Sequence, residues 1–203
     1  MTYLFSHPEV VLTALGQHVV LSGAALVAAF AIALPLGVAA ARIPGLRLPV
    51  FGLLNVIYTI PSLALFALLV PVLGLGFAPA VCGLALYALM VIVTNVTAGI
   101  TGVDPASVDA ARGMGMSGLQ VLWRVELPQA MPVIIGGVRI ASAAVISIAT
   151  VAALVDAGGL GTLILAGIDQ DNLPKALAGA ITCVALALCV DGGLRLAERR
   201  IIS

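Results

Sequence analysis

The chain has 203 residues, of which 62% are hydrophobic and only 9% are charged, and its formal net charge is zero. Soluble domains are about 45–50% apolar and about 25% charged, so this chain has too few polar residues to cover a water-soluble fold. The same composition excludes a disordered chain, and the balanced charge gives no indication of nucleic-acid binding. The sequence therefore predicts an all-α integral membrane protein.

Five apolar stretches are long enough to cross a bilayer, which requires about 20 residues in a helix. We do not expect the first to be a cleaved signal peptide, because no basic region precedes it and its apolar run is too long. The longest polar connection, residues 101–131, separates the third stretch from the fourth. In chain order, the predicted spans are Val19–Ala41, Val50–Leu73, Ala78–Ile100, Pro132–Val155 and Leu173–Val190.

The second predicted span carries a polar stripe. Asn55, Thr59 and Ser62 follow one another at i, i+4 and i+7, with Tyr58 beside them. Polar side chains in a bilayer face the interior of a helix bundle. These four residues therefore either line a path through the protein or form hydrogen bonds between helices, which are worth about 0.6 kcal/mol each.

Arginine residues are distributed unevenly over the predicted connections. If the spans alternate in direction, one side carries nearly all the arginines, and the other carries acidic residues with Lys175 as its one cation. Positive charge marks the cytoplasmic side, so we expect the N-terminus outside and the C-terminus in the cytoplasm. The arginines on the predicted cytoplasmic side are Arg42, Arg47, Arg112, Arg124, Arg195, Arg199 and Arg200.

Two charged features fall inside or at the end of predicted spans. Arg139 lies about two turns into the fourth span, where it either extends to the cytoplasmic surface or contacts a cytoplasmic partner. Asp191 and Arg195 are four residues apart at the inner end of the last span. This spacing predicts an ion pair with a structural role.

Loop 101–131 is predicted to contain two short helices. Asp104 followed by Pro105 is a typical helix start, and the first helix is expected to continue through Arg112 until Gly113 and Gly115 break it. Ser117 can cap a second helix over Gly118–Val125. Pro128 and Pro132 are expected to end that helix and to begin the next span.

The same loop resembles a motif of ABC importer permease subunits, which reads EAA, three residues, Gly, nine residues, then I-x-L-P. This chain has Asp109-Ala110-Ala111, Gly115 after three residues, and Val125-Glu126-Leu127-Pro128 after nine more. The departures are Asp for Glu and Val for Ile. In the family this loop docks into a groove on the ATPase subunit. The resemblance thus assigns ATPase coupling to Asp109, Ala110, Ala111, Gly115, Val125, Leu127 and Pro128.

Further stretches resemble the osmoprotectant group within this family, which transports glycine betaine, choline or carnitine. The similarity extends over residues 15–195 of a single permease domain, 1–203. It also includes a segment shared with methionine permeases, so an amino-acid permease is the alternative. The segments are His18, Pro35-Leu36-Gly37-Val38, Pro61-Ser62-Leu63-Ala64, Gly136-Gly137-Val138-Arg139 and the shared Ala157-Gly158-Gly159-Leu160-Gly161.

The resemblance implies a type I ABC importer permease (MetI-like) fold with about five transmembrane helices, in a bacterial inner membrane. It implies three partners: an ABC ATPase subunit, a second permease subunit that is identical or paralogous, and an extracytoplasmic substrate-binding protein. ATP and Mg²⁺ would bind the ATPase, and this chain would hold no cofactor. Because only 4% of the residues are aromatic, without clustering, tight recognition of a quaternary ammonium ligand is expected in the binding protein.

Two other classes of membrane protein fit part of the sequence. Gly115-Met116-Ser117-Gly118 matches the GxSG pattern of intramembrane serine proteases, but the two histidines, His7 and His18, are predicted at the opposite side of the membrane. A small channel would explain the hydrophobicity but not the motif in loop 101–131. We therefore expect no catalytic residue and no metal site.

Overall fold

The computed structural model describes residues 2–202, and over that range it contains helices and no strand. A π-helical turn, Leu122–Glu126, joins α7 to α8, and a 3₁₀ turn, Val151–Val155, follows α8. The α-helices are α1 Thr2–Ser6, α2 Pro8–Arg42, α3 Arg47–Thr59, α4 Ser62–Leu73, α5 Phe77–Thr101, α6 Pro105–Gly113, α7 Gly118–Val121, α8 Leu127–Ile148, α9 Leu160–Asp169 and α10 Leu173–Ile202.

Helix α5 lies at the centre of the bundle and packs against α2 on one side and α8 on the other. Small residues allow this close approach: a Cβ atom at Gly37 of α2 would lie 2.7 Å from the Val96 side chain of α5. Lipid chains are as apolar as leucine, so helices in a bilayer associate through such close van der Waals contact rather than through the hydrophobic effect. Glycine and alanine at these positions are what the packing of α2, α5 and α8 requires.

Within residues 2–202, four helical segments are long and apolar enough to cross a membrane: α2, α5, the continuous α7–α8 segment and α10. Helices α3 and α4 pass the same test together, which gives a fifth span if the pair is counted as one. The all-α membrane fold with about five spans is therefore confirmed.

The predicted continuous span Val50–Leu73 is wrong. Helices α3 and α4 are bent by 98° where Ile60 and Pro61 separate them. Proline lacks an N–H donor and forces the preceding residue out of the helical conformation, and Ile60 is extended, with φ −67° and ψ 127°. The Tyr87 hydroxyl of α5 donates to the Ile60 carbonyl, which compensates for the missing helical hydrogen bond.

The predicted end of the second short helix at Pro128 is also wrong, because the helix continues from Gly118 to Ile148. The π turn explains how the chain accommodates this proline. The Leu127 N–H bonds to the Leu122 carbonyl, five residues back, and Pro128 then occupies the first turn of α8, where no N–H donor is needed. The fourth span accordingly ends at Ile148 rather than Val155.

Arg139 forms ion pairs with two residues of α10. Its Nε donates to the Asp191 carboxylate and its Nη1 to the Glu198 carboxylate, both at 2.9 Å. The three direct ion pairs among the described residues do not include Arg195, so the predicted direct pair is wrong: Asp191 pairs with Arg139, and Arg195 adds only a longer-range attraction to Asp191. Arg139 reaches Asp191 because α8 and α10 pack side by side, which a spacing pattern within one helix cannot reveal.

Candidate functional site

The first short helix of loop 101–131 begins where it was predicted to begin. The Asp104 side chain accepts a hydrogen bond from the Ala106 N–H at 3.1 Å, and Pro105 is the first residue of α6. This cap satisfies one of the N–H groups that a helix start leaves unpaired. Gly113, predicted to break the helix, is instead its last residue.

Gly115 makes the turn that ends α6. Its φ is +80°, a left-handed conformation that glycine adopts without steric cost. The Met116 N–H bonds to the Ala111 carbonyl at 3.2 Å and the Gly115 N–H to the Arg112 carbonyl at 2.9 Å. These two bonds form a Schellman motif with Gly115 at its left-handed position. A Cβ atom there would meet nothing within 4 Å, so backbone conformation alone selects glycine.

Ser117 caps the second short helix, as predicted, and Gln120 completes a capping box that was not predicted. The Ser117 hydroxyl accepts from the Gln120 N–H at 3.4 Å, and the Gln120 side chain accepts from the Ser117 N–H at 2.8 Å. Because the Ser117 hydroxyl acts as a helix cap, the structure gives the GxSG pattern a local structural role.

The residues of the EAA-like motif separate into an exposed and a buried set. Asp109, Ala110 and Gly115 are exposed on the elbow between α6 and α7, whereas Ala111 and Leu127 are buried. Val125 is half-buried and Pro128 is exposed. The elbow also exposes three large apolar side chains, each more than 60% accessible: Met114, Leu119 and Trp123.

Arg42, the last residue of α2, forms hydrogen bonds to two residues of this loop. Its guanidinium donates to the Glu126 carboxylate from Nη2 at 2.7 Å and from Nε at 3.1 Å, and it donates to the Gly118 carbonyl at 3.2 Å. This contact was not predicted from the sequence. The available signal was Glu126 itself, a carboxylate between the apolar residues Val125 and Leu127.

The predicted polar stripe does not remain on one helix. Asn55, Tyr58 and Thr59 lie on α3, whereas Ser62 begins α4 beyond the bend. The first three are exposed; the Asn55 amide donates to the Phe51 carbonyl and the Thr59 hydroxyl to the Val56 carbonyl, both at 2.8 Å within α3. Neither side chain therefore forms a hydrogen bond to another helix of this chain.

A second cluster lies in the N-terminal third of α2. His18 is fully buried; its Nδ1 accepts from the Leu160 N–H at 3.2 Å, so its Nε2 carries the proton that is donated to the Ile146 carbonyl at 3.0 Å. The Gln17 side chain accepts from the Gly159 N–H at 3.0 Å. A Cβ atom at Gly159 would lie 2.9 Å from His18 Nδ1. The glycine segment and His18, noted separately in the sequence, form one assembly.

Over the part of the chain that the structure describes, no three histidine, cysteine or acidic side chains are grouped so that they could hold a metal ion.

Residues 33–203 match the family of binding-protein-dependent transport system inner membrane components. The chain belongs to this family. It is thus a permease component of an ABC importer. In such an importer the permease component is not itself catalytic. Family membership also implies an ATPase partner, a binding-protein partner and a multi-pass membrane location.

Several curated proteins are similar over nearly their whole length. The carnitine transport permease protein OpuCB of Listeria monocytogenes is 38% identical, over 91% of this chain and 85% of that protein. The osmoprotectant import permease protein OsmW of Salmonella typhimurium is 40% identical, over 86% and 84%. The glycine betaine/carnitine/choline permease protein OpuCB of Bacillus subtilis is 34% identical, over 99% and 93%.

Solved structures agree on the fold. A chain of the MetNI methionine ABC transporter, in an inward-facing conformation, aligns with a TM-score of 0.88 over 97% of this chain and 98% of its own, at 20% identity. At this identity the likeness shows the fold alone, and it confirms the MetI-like permease architecture that the motif implied.

Proposed function

We propose that this permease component forms the membrane path for a small osmoprotectant such as glycine betaine, choline or carnitine. The observation that carries the proposal is the agreement among relatives 34–40% identical, whose names specify carnitine, osmoprotectants, or glycine betaine with carnitine and choline. These three named compounds share a trimethylammonium group. The methionine transporter is similar only in fold, so an amino-acid substrate remains the second candidate.

We infer that loop 101–131 is the surface that docks on the ATPase, within a permease domain that comprises residues 1–203. The exposed side chains of the elbow support this, because Met114, Leu119 and Trp123 present apolar area that this chain leaves uncovered. Asp109, Ala110 and Gly115 would face the ATPase, and Ala111, Val125 and Leu127 would hold the elbow on the bundle. The exposed Pro128 would act at the start of α8. ATP and Mg²⁺ would bind the ATPase.

The proposed translocation path lies between two permease subunits, at the exposed face of α3 and α4. Within these helices the buried residues are Leu54, Leu65 and Phe66, so most of their surface is left for a second subunit, identical or paralogous. Asn55, Tyr58, Thr59 and Ser62 would line the path at this interface. Their hydrogen bonds within α3 would use the Thr59 hydroxyl proton and one Asn55 N–H, which leaves the side-chain oxygens to face a cationic solute.

The proposed orientation places the N-terminus outside and the C-terminus in the cytoplasm of a bacterial inner membrane. The contacts of Arg42 with Gly118 and Glu126 support it, because they bring the first connection and loop 101–131 to the same end of the bundle. Both connections carry the arginines that mark a cytoplasmic side.

Competition of uptake tests the substrate. The complete complex of permeases, ATPase and binding protein is placed in proteoliposomes, and uptake of labelled glycine betaine is measured with excess unlabelled choline, carnitine or methionine. Choline or carnitine should reduce the signal, and methionine should not. Uptake of labelled methionine, with no uptake of glycine betaine, choline or carnitine, would assign the chain to the amino-acid permeases.

A further inference from the structure

One guanidinium group joins α2 to two separate points of loop 101–131. Arg42 donates to the Gly118 carbonyl at the first residue of α7 and to the Glu126 carboxylate at the last residue of the π turn. The planar arrangement of its donors keeps these two points at a fixed separation and orientation against the end of α2. The segment between them therefore cannot shift far without moving Arg42 or breaking its contacts.

Burial makes this contact costly to break. The Glu126 side chain is only 9% exposed, whereas that of Arg42 is 31% exposed. A carboxylate buried to this degree needs a partner, because removing one member leaves an uncompensated charge. The π turn determines the position of Glu126, since its extra residue rotates the side chains that follow relative to an α-helix. The chain thus uses an irregular turn where a buried carboxylate meets Arg42.

Helix α2 is also held by hydrogen bonds in its N-terminal third. Gln17 and His18 accept hydrogen bonds from the backbone of Gly159 and Leu160. The helix is unbroken between His18 and Arg42, a length of about 36 Å at about 1.5 Å per residue. One continuous helix, in which Pro35 is the one residue between the two contacts that lacks a backbone N–H donor, therefore carries hydrogen bonds to loop 101–131 and to the glycine segment at the proposed outer side.

We propose that Arg42 is a positioning residue for import: it transmits movement of loop 101–131 to α2, and through α2 to the segment held by Gln17 and His18. This inference rests on the function proposed above and names a link within it. Arg42 contacts Gly118 and Glu126 of its own chain, so it acts through them and not on the transported solute.

The number of glycine betaine molecules imported per ATP hydrolysed tests the link in the reconstituted complex. Arg42→Gln should reduce this ratio about tenfold, the equivalent of about 1.4 kcal/mol, while ATP hydrolysis continues. Glu126→Gln, which keeps the shape of the side chain, should do the same. The double variant Arg42→Glu with Glu126→Arg should recover part of the ratio, because it restores an ion pair of opposite polarity.

Arg47→Gln is the matched control. Arg47 lies on the same connection as Arg42, but its guanidinium lies 5.8 Å from the Phe51 ring centre and takes part in none of the direct ion pairs among the described residues. Arg47→Gln removes the same charge at the same end of the bundle but breaks no ion pair to loop 101–131. Its ratio of glycine betaine imported to ATP hydrolysed should therefore match that of the unaltered complex.

Failure of the inference and failure of the proposed function give different results. If the unaltered complex imports no osmoprotectant, the proposed function is wrong. If it imports and Arg42→Gln keeps the full ratio, Arg42 does not transmit the movement, and the permease function stands. Two results would show a role in assembly and would overturn the inference. One is that Arg42→Gln loses hydrolysis and uptake in equal proportion. The other is that both Arg42→Gln and Glu126→Gln are missing from the membrane.

Discussion

Gly115 offers the sharpest test of the proposed coupling surface, because its requirement is purely conformational. Its φ of +80° is unfavourable for any residue with a Cβ atom, and no neighbouring atom lies within 4 Å of the Cβ position. A left-handed conformation costs an L-residue about 1–2 kcal/mol, and a β-branched residue such as valine pays the upper end or more. Asparagine tolerates this region better than other residues with side chains.

A graded series at this position should follow that order. We expect Gly115→Asn to be close to normal, Gly115→Ala to be intermediate and Gly115→Val to be the most severe. If about 2 kcal/mol of strain is relieved by rearranging the turn, the ratio of native to rearranged loop changes roughly thirtyfold. Uptake should therefore fall in this order while the spans remain inserted, because the strain lies outside them.

Gly113 provides the matched control within the same helix end. Its φ is not in the left-handed region and its Cβ position is open, so Gly113→Ala should leave uptake unchanged. Membrane abundance, recovery of the ATPase with the purified permease, and uptake are measured for all four variants. Normal uptake by Gly115→Val, with normal membrane abundance, would refute the proposal that this elbow docks on the ATPase.

Three further predictions concern topology, packing and the motif. In a background without native cysteines, Gly118→Cys should be shielded from an impermeant thiol reagent in intact cells and Asp169→Cys labelled; the reverse pattern would invert the orientation. Gly137→Ala should lower the melting temperature of the purified protein, because its Cβ would overlap a side chain of α5, whereas Gly136→Ala, with nothing within 4 Å, should not; equal melting temperatures would contradict the packing of α8 on α5. Asp109→Ala should reduce uptake less than Gly115→Val, because it removes one exposed carboxylate and leaves the turn intact; a larger loss would make the carboxylate the principal docking group.

Local features of loop 101–131 could be predicted because neighbouring residues determine them. The caps at Asp104 and Ser117 involve atoms no more than three residues away, so the sequence pattern contains the whole interaction. The bend at Pro61 was also present in the sequence, but the long apolar run from Val50 to Leu73 outweighed it in the span prediction. A proline inside an apolar run can begin a new helix at a large angle as well as continue a span.

Contacts between helices could not be predicted in the same way. Arg42 and Glu126 are 84 positions apart, and Arg139 and Glu198 are 59 apart, so no periodicity within one helix relates them. The π turn at Leu122–Glu126 could not be predicted either, because Pro128 alone gives no indication that the helix continues past it. His18 and the glycine segment are separate features of the sequence, and only the packing of α2 beside α9 shows that Leu160 is bonded to His18 and Gly159 to Gln17.

Energy-dependent accumulation is the most direct test of the central claim that this chain is the permease of an ATP-driven osmoprotectant importer. The complete complex is reconstituted in proteoliposomes loaded with either ATP or ADP, and labelled glycine betaine is added outside with the binding protein. The account predicts accumulation above the external concentration with ATP, and none with ADP or without the binding protein. Equilibration to the external concentration at the same rate in every condition would contradict it, since that is the behaviour of a passive channel.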